Sequence, residues 1–424
     1  MVLGASAMED SPLAALAERT GIGYDLPRPG ATKRDAVPDR DENESVCRTD
    51  RYDGDFRRVP YSMTISKPLR KMLVVKPSAL GDIIHALPFL DAVSRSHPGI
   101  AIHWVAARGL HEILVDHPMI RKLWIIDKNA WKRPAALPRT VHEIMNLASG
   151  LRRERFDIVV DLQGLLRSGM ICAVSGAGMR LGFSDAREGS PLFYTHGING
   201  GRDVHAVTRC LRMAETLGCD TREVRFPLPA LPARNLFPQW CGDDYLVIAP
   251  GAGGAAKQWP VRFFGELAAR LPLKSLVVGG ASDAVLAAEV QRLSHGHAVS
   301  IAGMTGLREL AAVIGGARAL VSSDTGPMHI AAALNVPVVA VFGPTNPART
   351  GPFGSIHTAV VADVPCSPCY KRKRCREWRC MESIGVRQVL DAVLSRLAEP
   401  PPAATYGDDD RAGPAVRLQN EKAS

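Results

Sequence analysis

Short apolar runs alternate with longer amphipathic stretches from about residue 72 to residue 397. Apolar runs bounded by glycine, proline and polar residues are typical of buried strands, and apolar residues three and four apart between them indicate helices. Strands that alternate with helices predict parallel sheets with helices on both faces, an α/β fold. The predicted strands are 72–75, 100–105, 122–126, 158–161, 245–249, 275–278, 298–301, 319–322 and 338–342.

The pattern divides near a proline-rich stretch, 226–238, which is typical of a linker. We therefore expect two Rossmann-like domains that face a central cleft, with ligands at the carboxyl ends of the strands. Both ends of the chain are rich in charged residues, proline and glycine, which disfavours folding. The predicted boundaries are a disordered extension at 1–66, a first domain at 67–226, a linker at 227–240, a second domain at 241–398 and a disordered tail at 399–424.

The chain has 424 residues, of which 46% are hydrophobic and 22% charged, as expected of a globular protein with two cores. No apolar run approaches the roughly 18 residues that span a bilayer, and the N-terminus does not have the pattern of a signal peptide. The nine cysteines, some within apolar elements, fit a reducing compartment, so we expect a cytoplasmic protein. A net charge of +9 favours acidic partners: phosphorylated sugars, nucleic acid or an anionic membrane.

The run 319–334 predicts a strand, a tight Asp324-Thr325-Gly326 turn and a helix that begins at Gly326 or Pro327. The first N–H groups of a helix have no partner within it and attract anions, so this turn is suited to a diphosphate. Asp324 and His329 would then lie beside the phosphate and a sugar hydroxyl. The alternative is an aspartate that caps the helix and a histidine packed on its first turn.

A matching turn opens the second half of the chain, where the strand at 245–249 is followed by a glycine-rich loop and Lys257. The ammonium group of Lys257 is placed to neutralise a phosphate. A solvated loop lysine is the commoner outcome for such a residue.

The first turn of the chain, 75–88, also joins a strand to a helix but lacks the three glycines of a dinucleotide-binding site, which disfavours NAD. Asp82 lies at the start of that helix. It is either a carboxylate stabilised by the helix dipole or a base that takes a proton from a sugar hydroxyl. His85, one turn on, is either a core residue or a helper.

These turns resemble those of the bacterial heptosyltransferases, glycosyltransferase family 9, over residues 71–397. Five segments in order carry the resemblance: 76–85 (KPSALGDIIH), 156–168 (FDIVVDLQGLLRS), 250–260 (PGAGGAAKQWP), 324–329 (DTGPMH) and 342–345 (FGPT). The resemblance implies a GT-B fold and an inverting glycosyltransferase that needs no metal. It would transfer heptose from ADP-heptose to the lipopolysaccharide inner core, onto Kdo or the first heptose, at the inner face of the cytoplasmic membrane.

The resemblance also implies roles for individual residues. Asp82 would be the catalytic base. The donor would be bound by Lys257, Asp324, Thr325, Gly326 and His329. The segments at 131–133 and 184–188 look like those of first-heptose enzymes, and the acceptor would be bound by Ser78, Lys132, Arg133, Gln163 and Arg187. The partners would be ADP-heptose, a lipid A–Kdo or heptosylated inner-core acceptor, and an anionic membrane surface.

The C-terminal segment departs from that pattern and looks more like second-heptose enzymes. Its four cysteines would form either a structural zinc site or a group of thiols; they are Cys366, Cys369, Cys375 and Cys380. The basic run 371–376 is either solvated or in contact with anionic lipid. A nucleic-acid-binding protein is disfavoured because few aromatic residues lie among these charges. A family member with another acceptor, such as a different core sugar, a surface polysaccharide or a protein hydroxyl, remains an alternative.

Overall fold

The first half of the chain forms one parallel sheet of six strands, in the order β3-β2-β1-β4-β5-β6. The computed structural model describes residues 68–127, 137–232, 236–241, 244–370, 375, 377–399 and 415–417. β1 and β4 lie at the centre of this sheet and are almost wholly buried, which explains their unbroken apolar sequence. The strands are β1 (Lys71–Val75), β2 (Ala101–Ala107), β3 (Lys122–Ile126), β4 (Ile158–Asp161), β5 (Met179–Phe183) and β6 (His196–Ile198).

Helices connect these strands, as parallel strands require. The helix after β1 is short because Ala86 separates it from a second helix that carries Pro88 in its first turn. The helices of this half are α1 (Leu80–His85), α2 (Leu87–Ser96), α3 (Leu137–Glu154), α4 (Leu166–Val174) and α5 (Ala206–Thr216).

The second half repeats the arrangement, with six parallel strands in the order β10-β9-β8-β11-β12-β13. The strands are β8 (Leu246–Ala249), β9 (Ser275–Val277), β10 (Ala298–Ser300), β11 (Ala319–Ser323), β12 (Val338–Phe342) and β13 (Thr358–Val361). The helices are α6 (Pro238–Cys241), α7 (Val261–Arg270), α8 (Ala284–Leu293), α9 (Leu307–Gly315), α10 (Gly326–Ala333), α11 (Pro347–Thr350), α12 (Arg379–Glu382) and α13 (Val386–Ala398).

The predicted α/β fold with two Rossmann-like domains is confirmed, and each of the nine predicted strands is present with ends within two residues of the prediction. In the two six-stranded sheets the prediction missed β5, β6 and β13, and it also missed the strands at 223–225 and 415–417, which pair with each other. Of these, β6 has three residues and β13 is the edge strand of its sheet. Short edge strands lack the long apolar run of a central strand.

One hydrophobic cluster runs through both halves and includes Leu228 of the predicted linker. At its edge α1 packs against α10. A methyl group added at Gly81 would lie 2.3 Å from the ring of His329, and one at Gly326 would lie 2.8 Å from the side chain of Leu80. Only glycine at these two positions allows the helices to approach so closely.

A second contact between the halves is polar. Arg308 forms an ion pair of 3.0 Å with Asp116, and the N–H of Leu307 donates to Glu112 Oε2 at 3.3 Å. The carboxyl ends of the two sheets are therefore held facing each other at several points.

Part of the predicted disordered tail pairs with the first half of the chain. β14 (Ala415–Arg417) lies antiparallel to β7 (Glu223–Arg225). Backbone pairing needs little apolar sequence, so composition did not indicate this strand. The rest of the tail, and the extension at 1–66, lie outside the described residues. Over the ranges given above, none of the helices is long and apolar enough to cross a membrane.

Candidate functional site

The centre of the second half is a buried ion pair. Lys257 ends a short 3-10 turn (Ala255–Lys257) after β8, and Asp324 follows β11 at the carboxyl end of the sheet. Lys257 Nζ donates to Asp324 Oδ2, and the hydroxyl of Thr345 donates to the same oxygen at 2.8 Å. The side chains of Lys257 and Asp324 are only 11% and 7% exposed. Their arrangement fixes an ammonium group in front of the turn at 324–326.

The turn itself opens α10 as predicted. Thr325 is the last residue before the helix, has an extended backbone, and makes no capping hydrogen bond with its side chain. The alternative interpretation required Asp324 to cap the helix. Its side chain instead bonds Lys257 and Thr345. The first N–H groups of α10 remain directed at the space in front of Gly326 and Pro327, where an anion is favoured. His329 is packed on the first turn and is 7% exposed.

Across the cleft, Asp82 lies in the first turn of α1. Its Oδ2 accepts a hydrogen bond of 2.9 Å from the N–H of Ala79 just before the helix, so it does stabilise the helix start. The other carboxylate oxygen accepts no hydrogen bond from any residue in the described ranges. Asp82 is partly exposed, so this second oxygen is available to a substrate.

A buried network supports the loop before Asp82. The N–H of Ser78 donates to Gln163 Oε1 at 3.2 Å, which brings together two of the predicted acceptor residues. Asp161 Oδ1 accepts from the N–H groups of Gln163 and Gly164 at 2.8 and 3.0 Å, and the hydroxyl of Tyr194 donates to Asp161 Oδ2 at 2.7 Å. Burial raises the pKa of Asp161, while these hydrogen bonds oppose that rise.

Of the other predicted acceptor residues, the structure describes one, Arg187. The backbone N–H of Arg187 donates to Gly164 O at 3.1 Å, so this exposed residue lies beside the Gln163 turn. Lys132 and Arg133 lie outside the described residues.

Three histidines meet where the two halves touch. The rings of His85 and His329 have centroids 4.2 Å apart, and those of His85 and His205 are 5.3 Å apart. Burial, followed by the neighbouring histidines and Lys76, lowers the pKa of His85 well below its ordinary value. Burial also lowers the pKa of His329 to about 4, although Asp324 and Asp82 oppose the change. These rings are therefore neutral near pH 7 and pack as apolar groups.

The four C-terminal cysteines line one cavity of about 170 Å³ together with Pro344 and Trp378. Within the described ranges, no group of three or more histidine, cysteine, aspartate or glutamate residues is placed to hold a metal ion. All four thiols are free. The zinc site stays a prediction, which metal analysis of the purified protein tests. Most of the basic run, 371–374 and 376, lies outside the described residues.

Sequence reasoning missed three residues that shape the site: Asp161, Tyr194 and Thr345. The FGPT segment was recognised as a motif, but Thr345 was given no role because its partner, Asp324, is distant in sequence. The position of Asp161 at the end of a strand, two residues before Gln163, is the available signal for the second network.

Known proteins resemble this chain in sequence and in fold. Residues 144–378 match the family described as glycosyltransferase family 9 (heptosyltransferase). Lipopolysaccharide heptosyltransferase 1 of Pseudomonas aeruginosa is 32% identical over 319 residues, which cover 71% of this chain and 86% of that protein. The protein of the same name from Escherichia coli K12 is 29% identical over 292 residues, covering 67% of this chain and 91% of that protein.

Among solved structures, E. coli heptosyltransferase WaaC with ADP superposes with a TM-score of 0.64 at 24% identity, covering 77% of this chain and 99% of that chain. This similarity establishes the GT-B arrangement of two Rossmann-like domains. The chain therefore belongs to glycosyltransferase family 9, the heptosyltransferases.

Proposed function

We propose that the protein is a lipopolysaccharide heptosyltransferase that transfers heptose from ADP-heptose to the Kdo residue of the inner core, with inversion and without a catalytic metal. The observation that carries the proposal is the contact of α1 with α10 through Gly81 and His329. It places Asp82 on one wall of the cleft and the Lys257–Asp324 pair on the other.

The donor half provides what a departing diphosphate needs. Negative charge increases on the ADP oxygens as the bond to the anomeric carbon breaks. The N–H groups at the start of α10 and the ammonium group of Lys257 are fixed before the reaction, so they stabilise this charge without reorganising. Asp324, held by Lys257 and Thr345, orients the lysine and is placed to accept a hydrogen bond from a heptose hydroxyl.

The acceptor half provides a base. Asp82 takes the proton from an acceptor hydroxyl as its oxygen attacks the anomeric carbon from the face opposite ADP. The new C–O bond forms, the bond to the diphosphate breaks, and the electron pair leaves with ADP, which inverts the configuration. A carboxylate is a far weaker base than the alkoxide of a sugar hydroxyl, so proton transfer is expected to accompany bond formation.

The names of the relatives support one position for the added heptose. E. coli K12 heptosyltransferase 2 aligns with 67% of this chain at 26% identity, whereas the proteins from P. aeruginosa and E. coli named heptosyltransferase 1 are 32% and 29% identical over 71% and 67% of it. Their names support Kdo, rather than a first heptose, as the acceptor. We place the protein in the cytoplasm at the inner face of the cytoplasmic membrane, where a lipid-linked acceptor would be reached.

The test is release of ADP from ADP-heptose by the purified protein, with Kdo-lipid A, with its monoheptosylated form, or with neither, each with and without EDTA. We expect EDTA-resistant release that requires Kdo-lipid A. Release only with the monoheptosylated acceptor would move the protein to the second position. Loss of release in EDTA would contradict the metal-free mechanism, and no release with either acceptor would contradict the proposed acceptor.

A further inference from the structure

Three large apolar side chains are exposed together on the first half of the molecule. Leu166, Met170 and Leu192 are 42%, 47% and 75% exposed. Single exposed apolar residues are common, but a contiguous group marks an interaction site. We call these three residues the apolar rim.

Contacts within the fold bring the three residues of the rim to one part of the surface. Leu166 and Met170 are four residues apart in α4 and lie on one face of it. Leu192 belongs to the 3-10 turn Ser190–Phe193, which packs against α4. The N–H of Leu166 donates to Glu188 Oε2 at 3.3 Å, only a few residues before Leu192 in the chain.

Two exposed cations flank the rim. Arg167 is next to Leu166 in α4, and Arg187 comes just before the turn that carries Leu192. Neither guanidinium forms an ion pair with a described residue, and the carboxylate of Glu188, the residue after Arg187, accepts from the Leu166 N–H. Apolar side chains beside free arginines are the combination that binds the interface of an anionic bilayer.

The rim also adjoins the acceptor side of the cleft. Arg167 lines a small cavity with Ser78 and Gln163, and the backbone of Arg187 is bonded to Gly164. If the acceptor sugar lies at Ser78 and Gln163, its lipid anchor leaves the cleft on the side that Arg167 lines. A bilayer surface resting on the rim meets it on that side.

We propose that the apolar rim, with Arg167 and Arg187, docks the protein on an anionic phospholipid bilayer and presents the cleft to a lipid-linked acceptor. Leu166, Met170 and Leu192 insert among the lipid headgroups, and the two arginines contact lipid phosphates. The inference deepens the proposed function and rests on it only in taking the acceptor to be lipid-linked.

The first test measures sedimentation of the full chain with vesicles, without donor or acceptor. Vesicles of phosphatidylglycerol with phosphatidylethanolamine are compared with vesicles of phosphatidylcholine alone. We expect binding to the anionic vesicles only, and a loss of at least about tenfold in the variant Leu166→Ser/Met170→Ser/Leu192→Ser. Arg167→Gln alone should weaken binding about fivefold.

The matched control is Val285→Ser/Met304→Ser/Leu394→Ser, which changes three exposed apolar residues of the second half. It should bind vesicles as the parent does. No binding by the parent would overturn the proposal, and so would equal binding by the rim variant, which would place the lipid contact elsewhere. Circular dichroism melting confirms that both triple variants are folded.

Measurements of turnover distinguish the docking inference from the proposed function. The rim variant should lose turnover on Kdo-lipid A in anionic vesicles but keep turnover on a deacylated, water-soluble form of that acceptor. Equal loss on both acceptors would overturn the docking role. Inactivity of the parent on both, with vesicle binding intact, would count against the proposed function alone.

Discussion

The two walls of the cleft are built differently. The charged groups of the donor wall form one buried ion pair, Lys257 with Asp324, and a threonine hydroxyl donates a hydrogen bond to this aspartate. The acceptor wall is held together by backbone N–H groups. That of Ser78 donates to the side chain of Gln163, and those of Gln163 and Gly164 donate to Asp161. In the proposed reaction, charge is therefore preorganised where the leaving group would be stabilised, while the proposed acceptor side keeps its carboxylate, Asp82, partly exposed.

The largest expected effect separates catalysis from donor binding. Asp82→Asn retains an oxygen that accepts the Ala79 N–H but loses the base, so kcat should fall about 10³-fold, a typical effect of removing a general base. The Kd for ADP-heptose, measured by calorimetry, should stay unchanged. A variant with the kcat of the parent would contradict the assignment of Asp82.

The donor wall is tested next by removing its cation. Lys257→Met leaves Asp324 buried and unpaired, so the free energy of unfolding should fall by about 3 kcal/mol and donor binding should weaken. Adding Asp324→Asn should restore most of the stability in urea unfolding but not the affinity for ADP-heptose. If Lys257→Met were as stable as the parent, the Lys257–Asp324 ion pair would not stabilise the donor wall.

The stability of the protein should depend on pH through His329, which lies at the contact between the two walls. His329 is neutral in the folded protein because burial lowers its pKa from 6.5 to about 4. As pH falls from 7, the unfolded chain takes up a proton first, so stability is complete above about 6.5 and is lost progressively toward pH 4; at pH 5 the loss is about 2 kcal/mol.

Urea unfolding at pH 7 and pH 5 measures this loss. The difference between the two pH values should shrink in His329→Gln and remain in His297→Gln, since His297 is exposed. An equal difference in both variants would place the pH dependence elsewhere.

The acceptor wall is tested by Tyr194→Phe, which removes the hydroxyl that donates to Asp161. Stability should fall by about 1.5 kcal/mol, and the KM for the acceptor should rise while the Kd for ADP-heptose stays unchanged. Tyr370→Phe is the matched control because Tyr370 is 44% exposed in the second half. A change in donor affinity instead would show that the two walls are not independent.

The smallest effect should come from Thr345→Val, which removes one hydrogen bond to Asp324. We expect a loss of about 1 kcal/mol and about fivefold weaker donor binding, with acceptor KM unchanged. Thr345→Ser keeps the hydroxyl and should behave as the parent. If serine and valine gave the same donor affinity, the hydrogen bond would have no part in donor binding.

The sequence predicted the sheets well because their central strands, such as β1 and β11, are buried on both faces and carry unbroken apolar runs. It predicted the donor turn because a strand, a tight turn and a helix start are local features. It could not predict which partner each polar side chain takes. Tyr194 reaches Asp161 across 33 positions, and Thr345 reaches Asp324 across 21.

The interpretation of Asp82 shows why local patterns leave alternatives open. A carboxylate in the first turn of a helix was expected either to stabilise the helix or to act as a base. In the structure one oxygen bonds the Ala79 N–H and the other is left for a substrate, so both interpretations are compatible with one residue. Only the position of α10 across the cleft favours the second.

Gly81 and Gly326 set the minimum separation of the two walls, because each faces a side chain of the opposite helix closer than a methyl group permits. The width of the cleft is thus controlled by two residues that have no side chain. Replacing Gly81 by alanine would push α1, and Asp82 with it, away from α10. The two glycines are therefore spacers that determine how closely Asp82 approaches the Lys257–Asp324 pair.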